Sequence, residues 1–222
     1  MKYCKKCLFP DTKPDLCFDA EGICDACHSG EKRYNTEKGI DWEARAKEFE
    51  SIIRQYRSKD GMKYDCIVPV SGGKDSFFQV YAMKHIHKMN PLAVTFFQYD
   101  QTTIGDFDLK ILQQIGVDHI GFTLNPKVSK KLAKKGYEIV GDCHWVSHTG
   151  IFTVPAKIAV NFNIPLLIWG ENPQLEYGGP AAAKEKKVLD KRWRQEFAGM
   201  RGFREEDMAD EEVKCPPCNE GA

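Results

Sequence analysis

The sequence predicts a doubly wound parallel α/β sheet preceded by a small cysteine-rich segment. Three observations lead to this fold class. Short apolar runs alternate with stretches of helical periodicity, a glycine-rich turn directly follows the first run, and six of the nine cysteines form Cys-x-x-Cys pairs. A length of 222 residues is enough for one α/β domain with a small appendage.

Composition narrows the class of protein. Apolar residues make up 42% of the chain and the formal net charge is zero, so a core can form and the overall charge favours neither nucleic acid nor an anionic membrane. The chain contains no apolar run of about 20 residues, and its first residues lack the apolar core of a signal peptide. These features predict a cytosolic, cytoplasmic protein without a membrane partner.

The first 30 residues are poor in periodic apolar positions and need another source of stability. Cys4-x2-Cys7 and Cys24-x2-Cys27, separated by 16 residues, have the spacing of a Cys₄ zinc ribbon. Four thiolates would close a tetrahedron around Zn²⁺, so we expect a structural metal that supplies folding energy. Cys17 and His28 are spare candidate ligands, and His28 is expected to be a bystander.

The remaining elements follow in order, each with its own pattern. Apolar residues at helical spacing predict helices, and short runs rich in β-branched residues predict buried strands. The predicted helices cover residues 41–58, 75–88, 107–115, a basic stretch from Lys127, and 151–161, and the predicted strands cover 64–70, 92–97, 119–123 and 165–169. Strands separated by helices imply right-handed crossovers and a parallel sheet covered on both faces.

This order predicts four regions along the chain. Residues 1–30 form the ribbon, 31–60 a linking helix, 61–205 the α/β domain, and 206–222 a disordered tail. Pro69 is unusual in a central strand because it lacks an N–H group, but it lies beside the glycine-rich turn, where a missing ladder bond is tolerable.

The glycine-rich turn is Ser71-Gly72-Gly73-Lys74-Asp75-Ser76, between the first strand and the helix that follows. A helix N-terminus presents free N–H groups and partial positive charge, glycines allow close approach of backbone to an anion, and the serines and Lys74 add donors. The turn therefore predicts phosphate binding. The alternative is a strand-to-helix turn that binds nothing.

The hexapeptide resembles the PP-loop of the ATP pyrophosphatase superfamily, whose members cleave ATP between the α and β phosphates. The resemblance implies an adenine nucleotide α-hydrolase-like, Rossmann-like sheet, with Ser71 to Ser76 holding the leaving pyrophosphate. Lys74 would bind phosphate, and Asp75 would order the loop or a Mg²⁺ ion. ATP and Mg²⁺ are thus the implied ligands.

Further motifs are similar to the N-acetyl sugar amidotransferases of surface-polysaccharide (lipopolysaccharide) biosynthesis, over residues 1 to about 205. These are Tyr3-Cys4-Lys5-Lys6-Cys7 with Pro10 to Pro14, Gly150 to Pro155, and Ile168-Trp169-Gly170-Glu171-Asn172-Pro173-Gln174 with Glu176 to Gly179. The chain is shorter at its C-terminal end than the family pattern.

The resemblance implies a reaction and a partner. ATP would adenylylate the acetamido oxygen of a nucleotide-linked or nonulosonic N-acetyl sugar, and ammonia from a separate glutaminase subunit would displace AMP. Glu171 would hold Mg²⁺ or the amide nitrogen, whereas Gln174, Glu176 and Tyr177 would contact sugar and Asp100 would lie near the nucleotide. Nucleic acid is not an expected partner.

Two other functions remain open at this stage. Cys143 and the basic stretches Lys127 to Lys135 and Lys184 to Arg194 fit a tRNA-thiolating PP-loop enzyme. A non-enzymatic zinc-ribbon interaction module is the second alternative. Cys215 and Cys218 form a third pair near the chain end, where a disordered tail is expected.

Overall fold

The computed structural model describes residues 1–12, 16–34, 40–99, 101–170 and 199–210. These residues form two compact units, one within Met1–Gln55 and the other built on Tyr56–Gly170. The helices are α1 (Asp25–Tyr34), α2 (Trp42–Tyr56), α3 (Lys74–Tyr81), α4 (Thr103–Gln114), α5 (Pro126–Val140), α6 (Trp145–Asn161) and α7 (Glu205–Met208), and a π-helix (Ala82–Ile86) continues α3. Within the described ranges, no helix is long and apolar enough to cross a membrane.

The sheet of the second unit contains three parallel strands in the order β1 (Cys66–Pro69), β2 (Pro91–Phe97) and β3 (Asp118–Thr123). The fold is therefore α/β, as predicted. The apolar run of β2 is buried over its first five residues, which is typical of a strand covered on both faces.

Helices cover both faces of this sheet. On one face, Ile67, Leu92 and Val94 pack with Val154 and Ile158 of α6. Because side chains alternate along a strand, the intervening residues point the other way. There His119 of β3 shares a small cavity with Leu109 of α4, and α3 packs on β1 and α4. This layering leaves the carboxyl ends of the strands accessible.

The predicted strand at 165–169 is reduced to a single parallel bridge between Ile67 and Leu167. Its two hydrogen bonds run from the Ile67 N–H to the Leu166 carbonyl (2.9 Å) and from the Ile168 N–H to the Ile67 carbonyl (2.8 Å). The next bond of this ladder would need an N–H from Pro69, which proline lacks. Pairing on this side of β1 therefore stops at Ile67, four residues before the glycine-rich turn begins at Ser71.

Two helices begin earlier than predicted. Each contains a glycine, a residue that disfavours helix, and the prediction placed the start of the helix after that glycine. α4 begins at Thr103, with Gly105 in its first turn, and α6 begins at Trp145, with Gly150 inside it. A Cβ atom at Gly150 would lie 2.6 Å from the Phe96 ring, so glycine lets α6 approach β2 closely. These glycines serve packing rather than termination.

The segment after 205, predicted to be disordered, begins with an ordered stretch. Glu205–Met208 forms the short helix α7, and Met208 is buried together with Trp145, Val146 and Met200. The rest of the predicted tail, 211–222, lies outside the described residues.

Candidate functional site

The four predicted metal ligands come together in the first unit. The sulfur atoms of Cys4, Cys7, Cys24 and Cys27 all lie within 4.8 Å of one another, with 3.9 Å between Cys4 and Cys27 and 3.5 Å between Cys7 and Cys24. Zinc–sulfur bonds of about 2.3 Å place tetrahedral thiolates roughly 3.8 Å apart. The separations fit that geometry and exclude a disulfide, whose sulfur atoms would lie about 2.0 Å apart.

Backbone amides favour a negative charge on Cys4, one of the four sulfur atoms. The N–H groups of Lys6 (3.4 Å), Cys7 (3.5 Å) and Cys24 (3.3 Å) donate to Sγ of the buried Cys4. Burial acts to raise the pKa of Cys4, but these hydrogen bonds outweigh it and lower the pKa to about 6. The Cys4 sulfur is thus prepared to be a thiolate, the form that binds Zn²⁺.

The two cysteine knuckles are held by local turns. Isolated antiparallel bridges join Tyr3 to Pro10 and Phe18 to Cys24. His28, the spare candidate ligand, places Nε2 2.7 Å from the Asp19 carboxylate instead, and Cys17 is exposed. Among the residues described here, the metal-binding group consists of the four cysteines.

The glycine-rich turn lies where predicted, between β1 and α3 in the second unit. Gly72 has φ +83°, a left-handed conformation that favours glycine. Its Cα lies against α4, since a Cβ at this position would be 2.5 Å from the Gly105 carbonyl oxygen. Gly73 is the N-cap of α3 and, lacking a side chain, cannot cap the first-turn amides.

The two serines tie the ends of the turn together. The Ser71 N–H donates to Ser76 Oγ (3.3 Å), and the Ser76 hydroxyl donates to the Gly73 carbonyl (2.9 Å). The Gly73 N–H donates to Ser71 Oγ (3.3 Å). These hydrogen bonds hold the turn in one conformation. It lies at a helix N-terminus, which is a suitable environment for an anion.

Lys74 and Asp75 extend from the turn into solvent. Their side chains are 88% and 87% exposed, and Lys74 Nζ lies 2.9 and 3.1 Å from the two carboxylate oxygens of Asp75. An exposed pair of this kind is weak. A bound phosphate group could therefore replace Asp75 as the partner of Lys74.

Chain segments from β2 and from the bridge region border the turn. The Gln101 side chain donates to the Ser71 carbonyl (3.2 Å). On the other side, a Cβ at Gly170 would overlap the Gln79 side chain of α3, so the chain passes close to that helix. The predicted residues Asp100 and Glu171, like Gln174, Glu176 and Tyr177, lie outside the described residues.

A cavity of about 400 Å³ opens at the carboxyl ends of β2 and β3. Its lining is mostly apolar and includes two aromatic rings, with one lysine and several polar groups. The residues are Phe97, Gln98, Tyr99, Thr123, Leu124, Pro126, Ser129, Lys130 and Ala133. Its volume lies within the range of small-ligand pockets.

A buried hydrogen-bond chain reaches the residue before the turn. The Thr95 hydroxyl donates to the Val70 carbonyl (2.8 Å) and lies 2.8 Å from His119 Nε2. A hydroxyl has only one hydrogen, so Nε2 must carry the proton of neutral His119. Burial lowers the pKa of His119, which keeps the ring neutral.

The hydrogen bonds from His119 through Thr95 to Val70 predict that the protein loses stability in mild acid. Unfolded His119 takes up a proton near its ordinary pKa of 6.5. The folded form resists protonation, so the unfolded state binds more protons and the free energy of unfolding falls as pH drops below that value. Urea denaturation at pH 7.5 and 5.5 should show a smaller fall for His119→Gln, whose amide can still donate to Thr95. If the free energy of unfolding fell equally in both proteins between pH 7.5 and 5.5, the assignment of a neutral His119 in the folded protein would be contradicted.

Other residues singled out in the sequence have different surroundings. Cys143 is exposed at the start of α6. In the basic helix α5, Lys135 Nζ donates to the carbonyls of Met208 (3.1 Å) and Ala209 (3.2 Å), and Lys134 pairs with Glu138. These lysines have structural partners. Lys184 to Arg194, Cys215 and Cys218 lie outside the described residues.

Sequence reasoning missed one cluster close to Cys143. It joins Asp142, His148 and Arg201, with His144 and Tyr99 beside it. Asp142 and His148 are six residues apart, and their contact depends on where α6 begins. The histidines were visible in the sequence, but the pairing was not.

Comparison with known proteins shows partial similarities. No protein-family model matches the chain. Over 92 residues it is 35% identical to "Uncharacterized protein MJ1599" of Methanocaldococcus jannaschii; this match covers 41% of the chain and 31% of that relative. A crystal structure of a "predicted subunit of tRNA methyltransferase" from Methanocaldococcus jannaschii aligns at 21% identity and a TM-score of 0.35, covering 53% of this chain and 58% of that one.

Proposed function

We propose that this protein is an ATP-dependent amidotransferase of the PP-loop type. It adenylylates the acetamido oxygen of an N-acetyl sugar, and ammonia then displaces AMP to give an acetamidino sugar. An amide carbonyl is a poor electrophile and its oxygen a poor leaving group, so conversion of that oxygen into AMP makes the displacement feasible. The products are AMP and pyrophosphate.

The observation that carries the proposal is the placement of the turn Ser71–Ser76. It follows the carboxyl end of β1, opens α3, and combines the left-handed Gly72 with two serines tied to each other. Ligands of α/β proteins bind outside the carboxyl ends of the strands, where the chain order in the sheet reverses. β1 is such a point, since β2 lies on one side and the later segment containing Leu167 on the other.

The surroundings of the turn offer room for the rest of the nucleotide. The cavity at the ends of β2 and β3 has apolar and aromatic walls suited to a flat purine base. Lys74 would bind phosphate oxygens, and Asp75 and Glu171 are the carboxylates we propose to hold Mg²⁺. The ion would offset the charge of the phosphates and of the leaving pyrophosphate.

The choice of an N-acetyl sugar rests on sequence motifs. Gly150 to Pro155, which lies within α6, and Ile168 to Gly179 resemble the sugar amidotransferase pattern. The ammonia donor we propose is a separate glutaminase subunit, and Zn²⁺ would stabilise the four-cysteine segment.

Sugar-dependent ATP–pyrophosphate exchange tests this function. UDP-N-acetylglucosamine, UDP-N-acetylgalactosamine and CMP-N-acetylneuraminic acid serve as acceptors, and at least one should stimulate exchange. Lys74→Ala should lower exchange about 10²-fold, a typical loss when one charge-stabilising donor is removed. Lys157→Ala, an exposed lysine on α6, is the matched control and should behave as the unaltered protein.

Each of the other outcomes contradicts the proposal in a different way. Formation of ADP instead of AMP would exclude PP-loop chemistry. Exchange that requires tRNA rather than a sugar would indicate a tRNA-modifying enzyme. Failure to bind ATP at all would leave the metal-binding interaction module as the function.

A further inference from the structure

An ion-pair cluster at the start of α6 contains an aspartate–histidine dyad. Asp142 Oδ2 lies 3.1 Å from His148 Nδ1 and 3.3 Å from the Arg201 guanidinium, and Asp142 Oδ1 accepts the His144 N–H at 2.9 Å. The Asp142 side chain is 9% exposed, whereas that of His148 is 45% exposed. A nearly buried carboxylate thus orients an accessible imidazole.

The dyad lies at the same edge of the sheet as the glycine-rich turn. The His144 ring, whose centroid is 6.2 Å from that of His148, stacks on Tyr99 at 5.7 Å, and Tyr99 follows β2. Two residues further along, Gln101 donates to the Ser71 carbonyl. Two residues span at most about 7 Å, so one short segment contacts both the turn and His144, the neighbour of the dyad.

Charge and tautomer follow from these contacts. Burial alone would raise the pKa of Asp142, but the His144 N–H, His148 and Arg201 lower it, so the carboxylate stays ionised. Since that carboxylate can only accept, Nδ1 of His148 must donate to it. The other nitrogen, Nε2, is then the basic atom of the neutral ring.

We propose that His148 is the acid–base group that delivers ammonia to the adenylylated sugar. This inference rests on the proposed function. His148 Nε2 takes one proton from ammonium, which leaves NH₃ with a free electron pair. That pair forms the new C–N bond, the C–O bond to AMP breaks with its electrons leaving on AMP, and the imidazolium returns its proton to solvent.

A purely structural role for the cluster makes different predictions. The Gly199 backbone packs against His148, and the Trp145 side chain donates to the Met200 carbonyl, so the cluster also holds the segment around Arg201. In His148→Asn the amide N–H can replace Nδ1–H as the donor to Asp142 but cannot titrate. This variant keeps the structural bond and removes the base.

The test compares both half-reactions in the full chain, with ammonium chloride as donor and the sugar that supports exchange as acceptor. His148→Asn should amidate about 10²-fold more slowly at pH 7, within the usual effect of an acid–base group. Its ATP–pyrophosphate exchange should remain within about twofold of the unaltered protein, because adenylylation precedes ammonia attack. His85→Asn, a change at an exposed histidine of the π-helix, should affect neither step.

The pH dependence separates the remaining outcomes. Free ammonia rises about tenfold per pH unit below the pKa of ammonium, so alkaline pH should restore amidation by His148→Asn. Normal amidation by this variant at pH 7, or loss of both half-reactions without rescue at high pH, would overturn the role of His148. If the unaltered protein shows no sugar-dependent exchange, the proposed function fails, and this assignment fails with it.

Discussion

Chelation of the zinc ion that we predict at the four cysteines is expected to unfold the cysteine-rich segment while the α/β unit remains folded. Few of the described apolar side chains in this segment are buried, and its described turns converge on the four sulfur atoms. Structural zinc sites contribute about 10–16 kcal/mol of apparent binding free energy in isolated zinc-finger peptides. Among the described residues of this segment, individual hydrogen bonds and exposed ion pairs contribute far less.

Metal analysis with limited proteolysis of the full chain measures this effect. The untreated protein should contain one zinc ion per chain, and a chelator or Cys24→Ser should expose residues 1–34 to protease. Cys17→Ser is the matched control, because Cys17 is outside the metal-binding group and should leave zinc content and protection unchanged. Equal protease resistance of the metal-free and metal-bound proteins would contradict the structural role.

Gly72→Ala is expected to destabilise the second unit and to abolish nucleotide exchange. The left-handed φ of +83° costs a residue with a Cβ about 1–3 kcal/mol. The new methyl group would also lie 2.5 Å from the Gly105 carbonyl oxygen, a backbone atom that cannot turn aside. Either the turn or the first turn of α4 must therefore move.

The neighbouring glycine provides a control for this prediction. Gly73 has φ −90°, and a Cβ there would meet Ser71 Oγ at 3.4 Å, an ordinary contact. Gly73→Ala should therefore unfold in urea at nearly the same midpoint as the unaltered protein, while Gly72→Ala unfolds earlier. Identical midpoints for the two variants would show that the turn adapts without cost.

The sheet and the metal cluster were predictable because their signals are local. Buried parallel strands have apolar runs such as Pro91–Phe97, and the four cysteines have the spacing of two knuckles. The helix α1 was missed because its residues carry no apolar stripe. It begins directly after Cys24, so the knuckle rather than a core positions it.

What could not be predicted depends on contacts between distant segments. In the sequence, Gly105 and Gly150 indicate helix ends. Their role in packing becomes clear only from the structure, where Gly72 lies against Gly105 and Phe96 against Gly150. The relay from His119 through Thr95 to Val70 crosses three strand segments, and nothing in the periodicity pairs those residues. The roles of Lys74 and Asp75 remain predictions, since both side chains point into solvent.

Pro69 has a consequence for the strand pairing beside the turn. On the side that faces β2, pairing continues past Pro69, since the Val70 N–H donates to the Val94 carbonyl at 2.9 Å. On the side that faces the segment containing Leu167, β1 cannot form the next ladder hydrogen bond beyond Ile168, because Pro69 has no N–H group. The end of the pairing on this side is thus determined by a covalent property, a missing hydrogen atom, and replacement of Pro69 by any other residue would supply the donor that the next ladder bond needs.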